Sequence, residues 1–289
     1  MTTEERPPED AAPPRRRRSG LAWIAILVLA GVAVGIAVLV AHNGGSGPET
    51  VTAPPLVPVT FPEGLRRDDI ARILDERTHL SGAAYLRATA PGRRGERLAG
   101  TDRPTSLEGF LFPARYEIGT RTTVHDLVNA QLHAFRTYTA GVDYRYARSR
   151  NLTPYDVLII ASMIEREVQA PSERRIVAGV IYNRLHDRML LQIDATVLYA
   201  LGSWTADLAR HAPLSSVDSP YNTYRNHGLP PGPISNPGAA SIRAAAHPRR
   251  VPYLYYVARD DGSGRHYFAS TLAGFEAAIA KAKANAQRG

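Results

Sequence analysis

The sequence predicts an α+β protein with a single transmembrane helix, and three features support this class. Residues 21–41, LAWIAILVLAGVAVGIAVLVA, carry no charge, and about 20 apolar residues span a bilayer as a helix. Several later segments show apolar residues at helical spacing. Residues 251–271, VPYLYYVARDDGSGRHYFAST, predict two strands joined by a Gly-bearing turn. An amphipathic helix capped by Ser270 or Thr271 is expected to follow this β-hairpin.

Composition narrows the functional classes. The 289-residue chain is 44% hydrophobic, enough for a sizeable core, and its formal net charge is +8. The positive charge fits an anionic partner, such as an acidic wall polymer or a membrane surface, or simply a solvated basic surface with one charged tail. No nucleic-acid-binding motif accompanies it, so no nucleic-acid partner is expected. Phosphate loops, nucleophile elbows and metal-ligand motifs are also missing from the sequence, and we expect neither a cofactor nor a metal.

The charges around the apolar run predict its orientation. Residues 1–20 are rich in Pro, Glu and Arg, which predicts a disordered tail. Arg15–Arg18 lie directly before the span, and no Lys or Arg follows it until Arg66. The positive-inside rule therefore predicts a cytoplasmic tail and an extracytoplasmic body. Residues 42–58, rich in Gly, Ser and Pro, predict a linker. We expect a single-pass protein of the cell membrane.

The body begins with helical segments. Residues 61–90, FPEGLRRDDIARILDERTHLSGAAYLRATA, predict a turn followed by two short amphipathic helices. A polar break, PGRRGERLAGTDRPTS, follows them. Further on, residues 183–202 predict a helix that is capped by Asp194 and ended by Gly202.

A buried helix with two glutamates is the most informative segment. TPYDVLIIASMIEREV has Thr153 as its predicted N-cap, Pro154 at the first helical position and Asp156 three residues after the cap. Glu165 and Glu167 both flank its apolar stripe, and the helical wheel favours Glu167 only slightly. A buried carboxylate costs several kcal/mol unless it is paired or protonated.

Two interpretations of these glutamates stay open on the residues alone. In the first, each pairs with an arginine of the next segment, PSERRIVAGVIYNRL, for example Arg174 or Arg175. In the second, one of them lies against an apolar wall. Its raised pKa would then suit a general acid near neutral pH.

A long loop supplies a candidate binding surface. Residues 219–248, SPYNTYRNHGLPPGPISNPGAASIRAAAHP, are rich in Pro, Gly, Asn and Tyr, and loops of this length usually bind something. Residues 221–224 offer hydroxyls, an amide and stacking faces that suit a sugar. The alternative is a rigid structural loop. Upstream, LEGFLFPARYEI places Glu108 beside Gly109 in an aromatic stretch.

Six motifs carry a family resemblance. In order, they are ASMIEREV, SERRIVAGVIYNRL, MLLQIDATVLYALG, SPYNTY, GLPPGPISNPG and YLYYVA…HYFAST. Through them, residues 107–275 resemble the endolytic murein transglycosylase (MltG/YceG-like) family. The resemblance implies a single-pass membrane enzyme that cuts peptidoglycan strands internally, and it implies that Glu167, the second glutamate of an E-[KR]-E motif, is catalytic.

The implied reaction is a non-hydrolytic cleavage of the β-1,4 bond between N-acetylmuramic acid and N-acetylglucosamine. It leaves 1,6-anhydro ends and would terminate or trim nascent strands, with peptidoglycan synthases as expected partners. The resemblance also implies a partial LysM-like membrane-proximal region at 59–105 and a catalytic domain at 106–289. The expected substrate-binding residues are Glu108, Gln192, Asp194, Asn222 and Tyr224.

The chain departs from the family in three places, and two alternatives follow. The membrane-proximal region is short, LQIDAT has Ile193 and Ala195, and LEGFLFPARY has Ala114 and Arg115. These departures motivate the first alternative, a catalytically degenerate wall-binding or scaffold protein. The second is a muramidase, a hydrolase that would need a second carboxylate besides Glu167. Glu108 and Asp194 are the candidates for that carboxylate.

Overall fold

The computed structural model describes residues 56–90, 106–202 and 213–288. The predicted tail, transmembrane helix and most of the linker lie outside these residues, as does nearly all of the polar break. Within the described ranges, the helices are too short or too polar to cross a bilayer.

Helices dominate the described residues, and the strands form two short antiparallel pairs. The helices are α1 (Arg67–Arg77), α2 (Gly82–Ala88), α3 (Val124–Thr139), α4 (Arg145–Arg148), α5 (Pro154–Glu167), α6 (Arg174–His186), α7 (Asp194–Ala200), α8 (Ala239–Ala246) and α9 (Leu272–Ala286). Strand β1 (Val57–Thr60) pairs with β2 (Arg115–Ile118), and β3 (Tyr255–Ala258) pairs with β4 (His266–Ala269). This mixture confirms the predicted α+β class.

Helix α5 forms the centre of the core. Its residues from Val157 to Ile164 are all buried, and a helix that is apolar on every face is expected to be enclosed by others. It packs against α6, α7 and α8. The predicted N-terminus is confirmed, because Thr153 and Asp156 form a reciprocal capping box and Pro154 occupies the first turn. At the other end, Glu167 is the last helical residue.

The pairing of β1 with β2 was not predicted. The first strand lies across the end of the expected linker, and its register runs from Val57 opposite Ile118 to Thr60 opposite Arg115. Val59 and Phe61 point into the core, with 2% and 1% exposure. Four residues, one of them proline, are too few to show strand periodicity. The pairing joins chain segments on both sides of the predicted boundary at residue 105.

The other predicted elements are mostly confirmed. Helices α1 and α2 follow a turn as expected. The β3–β4 hairpin is present, and Thr271 caps α9 by accepting a hydrogen bond from the Gly274 N–H. Gly202 ends α7 with a φ of +70°, a left-handed conformation that glycine adopts without strain.

Two predictions, on the cap of α7 and on the loop at 219–248, were wrong. The cap of α7 is Ile193, and Asp194 is the first helical residue. The Asp194 carboxylate accepts a hydrogen bond from Tyr224 of the neighbouring loop. The segment predicted as one loop, 219–248, contains α8 at its end. Its sequence, AASIRAAA, has only one large apolar residue, Ile242. Its stability comes from burying small residues close to α5.

Candidate active site

Glu167 is the last residue of the central helix and is partly buried. The helix stops at Val168, three residues before Pro171, whose ring disfavours helical continuation before it. The Glu167 carboxylate accepts a hydrogen bond of 3.2 Å from the hydroxyl of Tyr256 on β3. It faces a cavity of about 250 Å³ that is lined mainly by the β3–β4 turn, including Arg265 and His266. A carboxyl on a rigid helix thus borders an open space.

The surroundings of Glu167 favour its protonated form. Burial, and then the nearby negative charge of Asp194, raise the pKa of Glu167 to about 7. The hydrogen bonds from Tyr256 and from the backbone N–H of Ala195, together with the positive charge of Arg166, oppose this rise. A carboxyl with a pKa close to neutral can both donate and accept a proton at physiological pH.

Three of the predicted substrate-binding residues form a connected polar cluster near Glu167. The Tyr224 hydroxyl donates a hydrogen bond to Asp194. Gln192, in the left-handed region with a φ of +52°, donates its N–H to the carbonyl of Thr223 at 3.1 Å. The side chains of Gln192 and Asp194 are exposed. This cluster therefore joins the loop at 219–229 to the start of α7.

Arg184 holds two walls of the site together, and it was not predicted. From α6, its Nε donates to the carbonyl of Leu254 at 2.6 Å, and its Nη1 donates to the carbonyl of Leu191 at 2.7 Å. The same Nη1 lies 3.4 Å from the side-chain oxygen of Gln192. It thereby fixes the segment before β3 against the segment before α7. An arginine within the apolar sequence IVAGVIYNRL was the signal that could have identified it.

Tyr256 is in turn supported by a buried contact between His266 and Glu173 that was not predicted either. The ring of His266 meets the Tyr256 ring edge-on, with centroids 5.4 Å apart. His266 Nδ1 lies 2.8 Å from Glu173, which also accepts the His266 backbone N–H. The pair therefore limits where the Tyr256 hydroxyl can point. Nothing in the local sequence distinguishes Tyr256 from Tyr255.

Glu165 occupies a different environment from Glu167. One carboxylate oxygen lies 3.7 Å from Arg174, and the other accepts a 3.0 Å hydrogen bond from the N–H of Gly238. Gly238 is the N-cap of α8, where the helix dipole favours a negative charge. The interpretation in which a glutamate of α5 pairs with an arginine thus applies to Glu165, and Arg174 is its partner. Glu167 fits the general-acid interpretation.

Glu108 does not fit its predicted role in substrate binding. It is 3% exposed. Its carboxylate accepts hydrogen bonds from the N–H of Arg67, in the first turn of α1, and from the side-chain amide of Asn236 at 2.8 Å. Burial raises its pKa to about 8, against the opposing hydrogen bond and positive charge of Arg67. This carboxyl caps a helix inside the protein, so we correct its role to a structural one.

Asn222 is also placed inside the protein. Its side chain is fully buried and donates to the carbonyls of Leu214 and Val217 at 2.9 and 2.7 Å. Its carbonyl oxygen accepts from the N–H of Tyr224 at 2.9 Å. These three bonds leave no polar atom of Asn222 for a sugar. The residue instead fixes the loop and positions Tyr224, as the rigid-loop interpretation expects.

Four residues depart from the family pattern. Three of them lie away from the cavity at Glu167, and the fourth, Ala195, contributes only its backbone N–H. Ile193 and Ala195 have buried side chains, with 1% and 6% exposure. Arg115 pairs with Glu117 on the exposed face of β2, and the carbonyl of Ala114 accepts from the N–H of Phe61. Of the four, Ala195 approaches Glu167, and it does so through its N–H.

A carboxyl with a pKa near 7, a tyrosine donor and an exposed polar cluster that includes Asp194 form a candidate acid–base site in this α+β domain. Comparison with known proteins shows which family the chain belongs to. A sequence model described as the YceG-like family matches residues 42–281. The chain belongs to this family, and the resemblance found in its motifs is confirmed.

Named relatives and a solved structure are similar to the chain. The endolytic murein transglycosylase of Bacillus subtilis (strain 168) is 41% identical over 158 residues, which cover 54% of this chain and 43% of the relative. The protein of the same name from Streptococcus pneumoniae (strain R6) is 32% identical over 246 residues, covering 78% and 44%. The chain thus spans less than half the length of these relatives.

The fold also matches an experimental structure. A YceG-like protein from Listeria monocytogenes, solved by crystallography, shares 34% sequence identity with a TM-score of 0.66. The match covers 78% of this chain and 76% of the Listeria chain.

Proposed function

We propose that this protein is a membrane-anchored endolytic lytic transglycosylase. It cleaves the β-1,4 bond between N-acetylmuramic acid and N-acetylglucosamine within glycan strands and leaves 1,6-anhydro ends. The observation that carries the proposal is the Glu167 carboxyl, with its pKa raised to about 7 at the edge of an open cavity. Family membership and the names of two relatives point to the same chemistry.

One carboxyl suffices for both proton transfers. In the first step, protonated Glu167 gives its proton to the glycosidic oxygen as the bond from C1 to that oxygen breaks. In the second step, the Glu167 carboxylate accepts the proton of the muramyl C6 hydroxyl while O6 bonds to C1. The carboxyl is regenerated, no water is consumed, and general acid–base catalysis supplies the rate.

The other residues of the site take supporting roles in this proposal. Tyr256 donates to the Glu167 carboxylate that exists between the two steps. Asp194 raises the pKa of Glu167 and so keeps it protonated for the first step. Gln192, Asp194 and Tyr224 present polar groups to the glycan strand.

A muramidase is the second candidate, and the position of Asp194 is the observation that favours it. A hydrolase needs a second carboxylate near the scissile bond. Glu108 is engaged at the start of α1, which leaves Asp194 of the two predicted candidates. Asp194 is exposed and already accepts a hydrogen bond from Tyr224. A catalytically degenerate scaffold protein is disfavoured, because the acid–base geometry of Glu167 is intact.

The location of the enzyme is part of the proposal. Residues 21–41 would anchor the chain, with Arg15–Arg18 on the cytoplasmic side and the site outside the membrane. An enzyme held close to the membrane meets newly made strands first. We therefore propose that it terminates or trims nascent strands beside peptidoglycan synthases.

The products distinguish the candidates. The full chain, purified in detergent, is incubated with purified sacculi, and the soluble fragments are analysed by mass spectrometry. A lytic transglycosylase releases 1,6-anhydromuropeptides. A muramidase releases reducing ends that are heavier by one water, and a scaffold protein releases neither.

A further inference from the structure

A second cavity, separate from the one at Glu167, lies where α6 begins and α8 ends. Its volume is about 530 Å³. The described residues that line it are Pro171, Arg174, Arg175, Ala240, Arg243, Ala244 and His247. Four of these side chains are basic, and this described lining includes no carboxylate. We call it the basic cavity.

The backbone of the basic cavity is held firmly. Arg175 Nε donates to the carbonyl of His247 at 2.7 Å, and the N–H of Arg249 donates to the carbonyl of Arg175 at 2.8 Å. These bonds tie the first turn of α6 to the end of α8. The Arg175 and Arg243 side chains remain exposed. Arg174 is mostly buried, and its Nε has no hydrogen-bond partner among the described residues.

Nearby carboxylates offset only part of this charge. Glu165 lies 3.7 Å from Arg174, and Glu63 lies within electrostatic reach of Arg174 and Arg243. Both carboxylates lie at Gly238, the start of α8, whereas Arg243 and His247 lie at its end. Asp143 is close to His247 but pairs with Arg145 at 2.7 Å. The mouth of the cavity therefore keeps a positive excess.

The basic cavity lies close to Glu167 along the chain. Gln169 lines the cavity at Glu167, and Pro171 lines the basic cavity. Four Cα steps separate Glu167 from Pro171, so the two residues are at most about 15 Å apart. An extended peptide of five residues spans about 16 Å. A peptide attached to a sugar at Glu167 is therefore long enough to reach Pro171, which lines the basic cavity.

We propose that the basic cavity binds the free carboxylates of the peptide stems carried by the muramyl residues. This inference rests on the proposed function, since it takes peptidoglycan as the substrate. Arginine side chains with unused N–H groups recognise carboxylates through charge-assisted hydrogen bonds. The site would make strands with peptide stems better ligands than bare glycan.

Binding without turnover tests this proposal. The full chain carries Glu167→Gln so that cleavage does not interfere, and calorimetry measures its affinity for soluble, uncross-linked glycan strands with stems. The same strands are tested after an amidase has removed the stems. Arg175→Gln combined with Arg243→Gln removes two charges from the cavity. Arg121→Gln combined with Arg148→Gln is the control, because it removes two exposed arginines that do not line it.

We expect the Glu167→Gln chain with an unmodified basic cavity to bind strands with stems about tenfold more tightly than bare strands. This preference should disappear in the Arg175/Arg243 variant and persist in the control. If the double variant has a lowered thermal midpoint, Arg243→Glu repeats the test, because it leaves the bond from Arg175 to His247 in place.

Two results would overturn the proposal. They are equal affinity for both strands before any substitution, and an equal loss of affinity for both strands in the Arg175/Arg243 variant. Because the assay needs no cleavage, failure of the proposed reaction would appear separately, as missing anhydro products from the chain with Glu167 intact.

Discussion

The hydrogen bond from Tyr256 to Glu167 predicts the direction of a shift in the pH profile. In Tyr256→Phe, the hydroxyl that lies 3.2 Å from the carboxylate is removed. That bond stabilises the charged form and lowers the pKa of Glu167 against the effect of burial. Its loss should therefore raise the pKa further above 7.

The size of the shift follows from the bond. Hydrogen bonds to charged groups contribute about 1.5–3 kcal/mol, and 3.2 Å is long for such a bond, so we take the lower end. At 1.36 kcal/mol per pKa unit, the pKa should rise by about one unit. Because the first step of the proposed reaction needs protonated Glu167, kcat/KM should fall as pH rises through this pKa. The descending limb should move from about pH 7 to about pH 8.

The assay is the initial rate of anhydromuropeptide release from sacculi between pH 5 and pH 9. Tyr255→Phe is a matched control, since it removes the same atom from the neighbouring tyrosine, whose ring stacks on Phe275. Asp194→Asn removes a charge that raises the pKa of Glu167 and should move the limb to lower pH. A limb that stays in place or moves down in Tyr256→Phe would refute this account of the site.

Three further predictions concern the loop, the stability and the topology. Asn222→Ala should lower the thermal midpoint by several degrees, because the partly buried carbonyls of Leu214 and Val217 lose their donor at a cost of about 1 kcal/mol, the lower end of the range for an unsatisfied group. An unchanged midpoint with weaker turnover would restore the role of Asn222 as a glycan contact. Glu167→Gln should be more stable than the wild type above pH 7 by about 3 kcal/mol, and equally stable at pH 4. The reason is that a pKa raised from 4.5 to about 7 costs the wild type stability as pH rises between these values; equal urea midpoints at pH 8 would contradict this. A C-terminal reporter that works only in the cytoplasm should be silent, and an active reporter would overturn both the topology and the wall substrate.

Elements with local signals were predictable from the sequence, and contacts between distant segments were not. The capping box of α5 lies within four residues, so Thr153, Pro154 and Asp156 located the helix start correctly. The hairpin also carries its own turn. The hydrogen-bond partners of Glu167 and Glu108, by contrast, are far away in the sequence. Tyr256 is 89 positions from Glu167, and Asn236 is 128 positions from Glu108. No local pattern records such pairings.

Periodicity also could not decide between the two glutamates of α5. Both flank the same stripe, and the helix alone gives them similar burial. The distinction comes from what packs against each residue. The start of α8 and Arg174 stabilise the charge of Glu165, whereas Asp194 and burial disfavour the charge of Glu167. Only the family resemblance carried this information at the level of the sequence.

The paired substitutions Glu167→Gln and Glu165→Gln test the central claim most directly. Each variant is incubated with purified sacculi, anhydromuropeptides are counted by mass spectrometry, and folding is checked by thermal denaturation. Glu167→Gln should fold and lose activity by about 10⁴-fold or more, since in the proposed mechanism one group performs both proton transfers and each is typically worth about 10²–10⁴-fold. Glu165→Gln should keep most of its activity. An active Glu167→Gln beside an inactive, folded Glu165→Gln would show that the wrong glutamate was assigned, and wild-type activity in both would contradict the single-carboxyl mechanism.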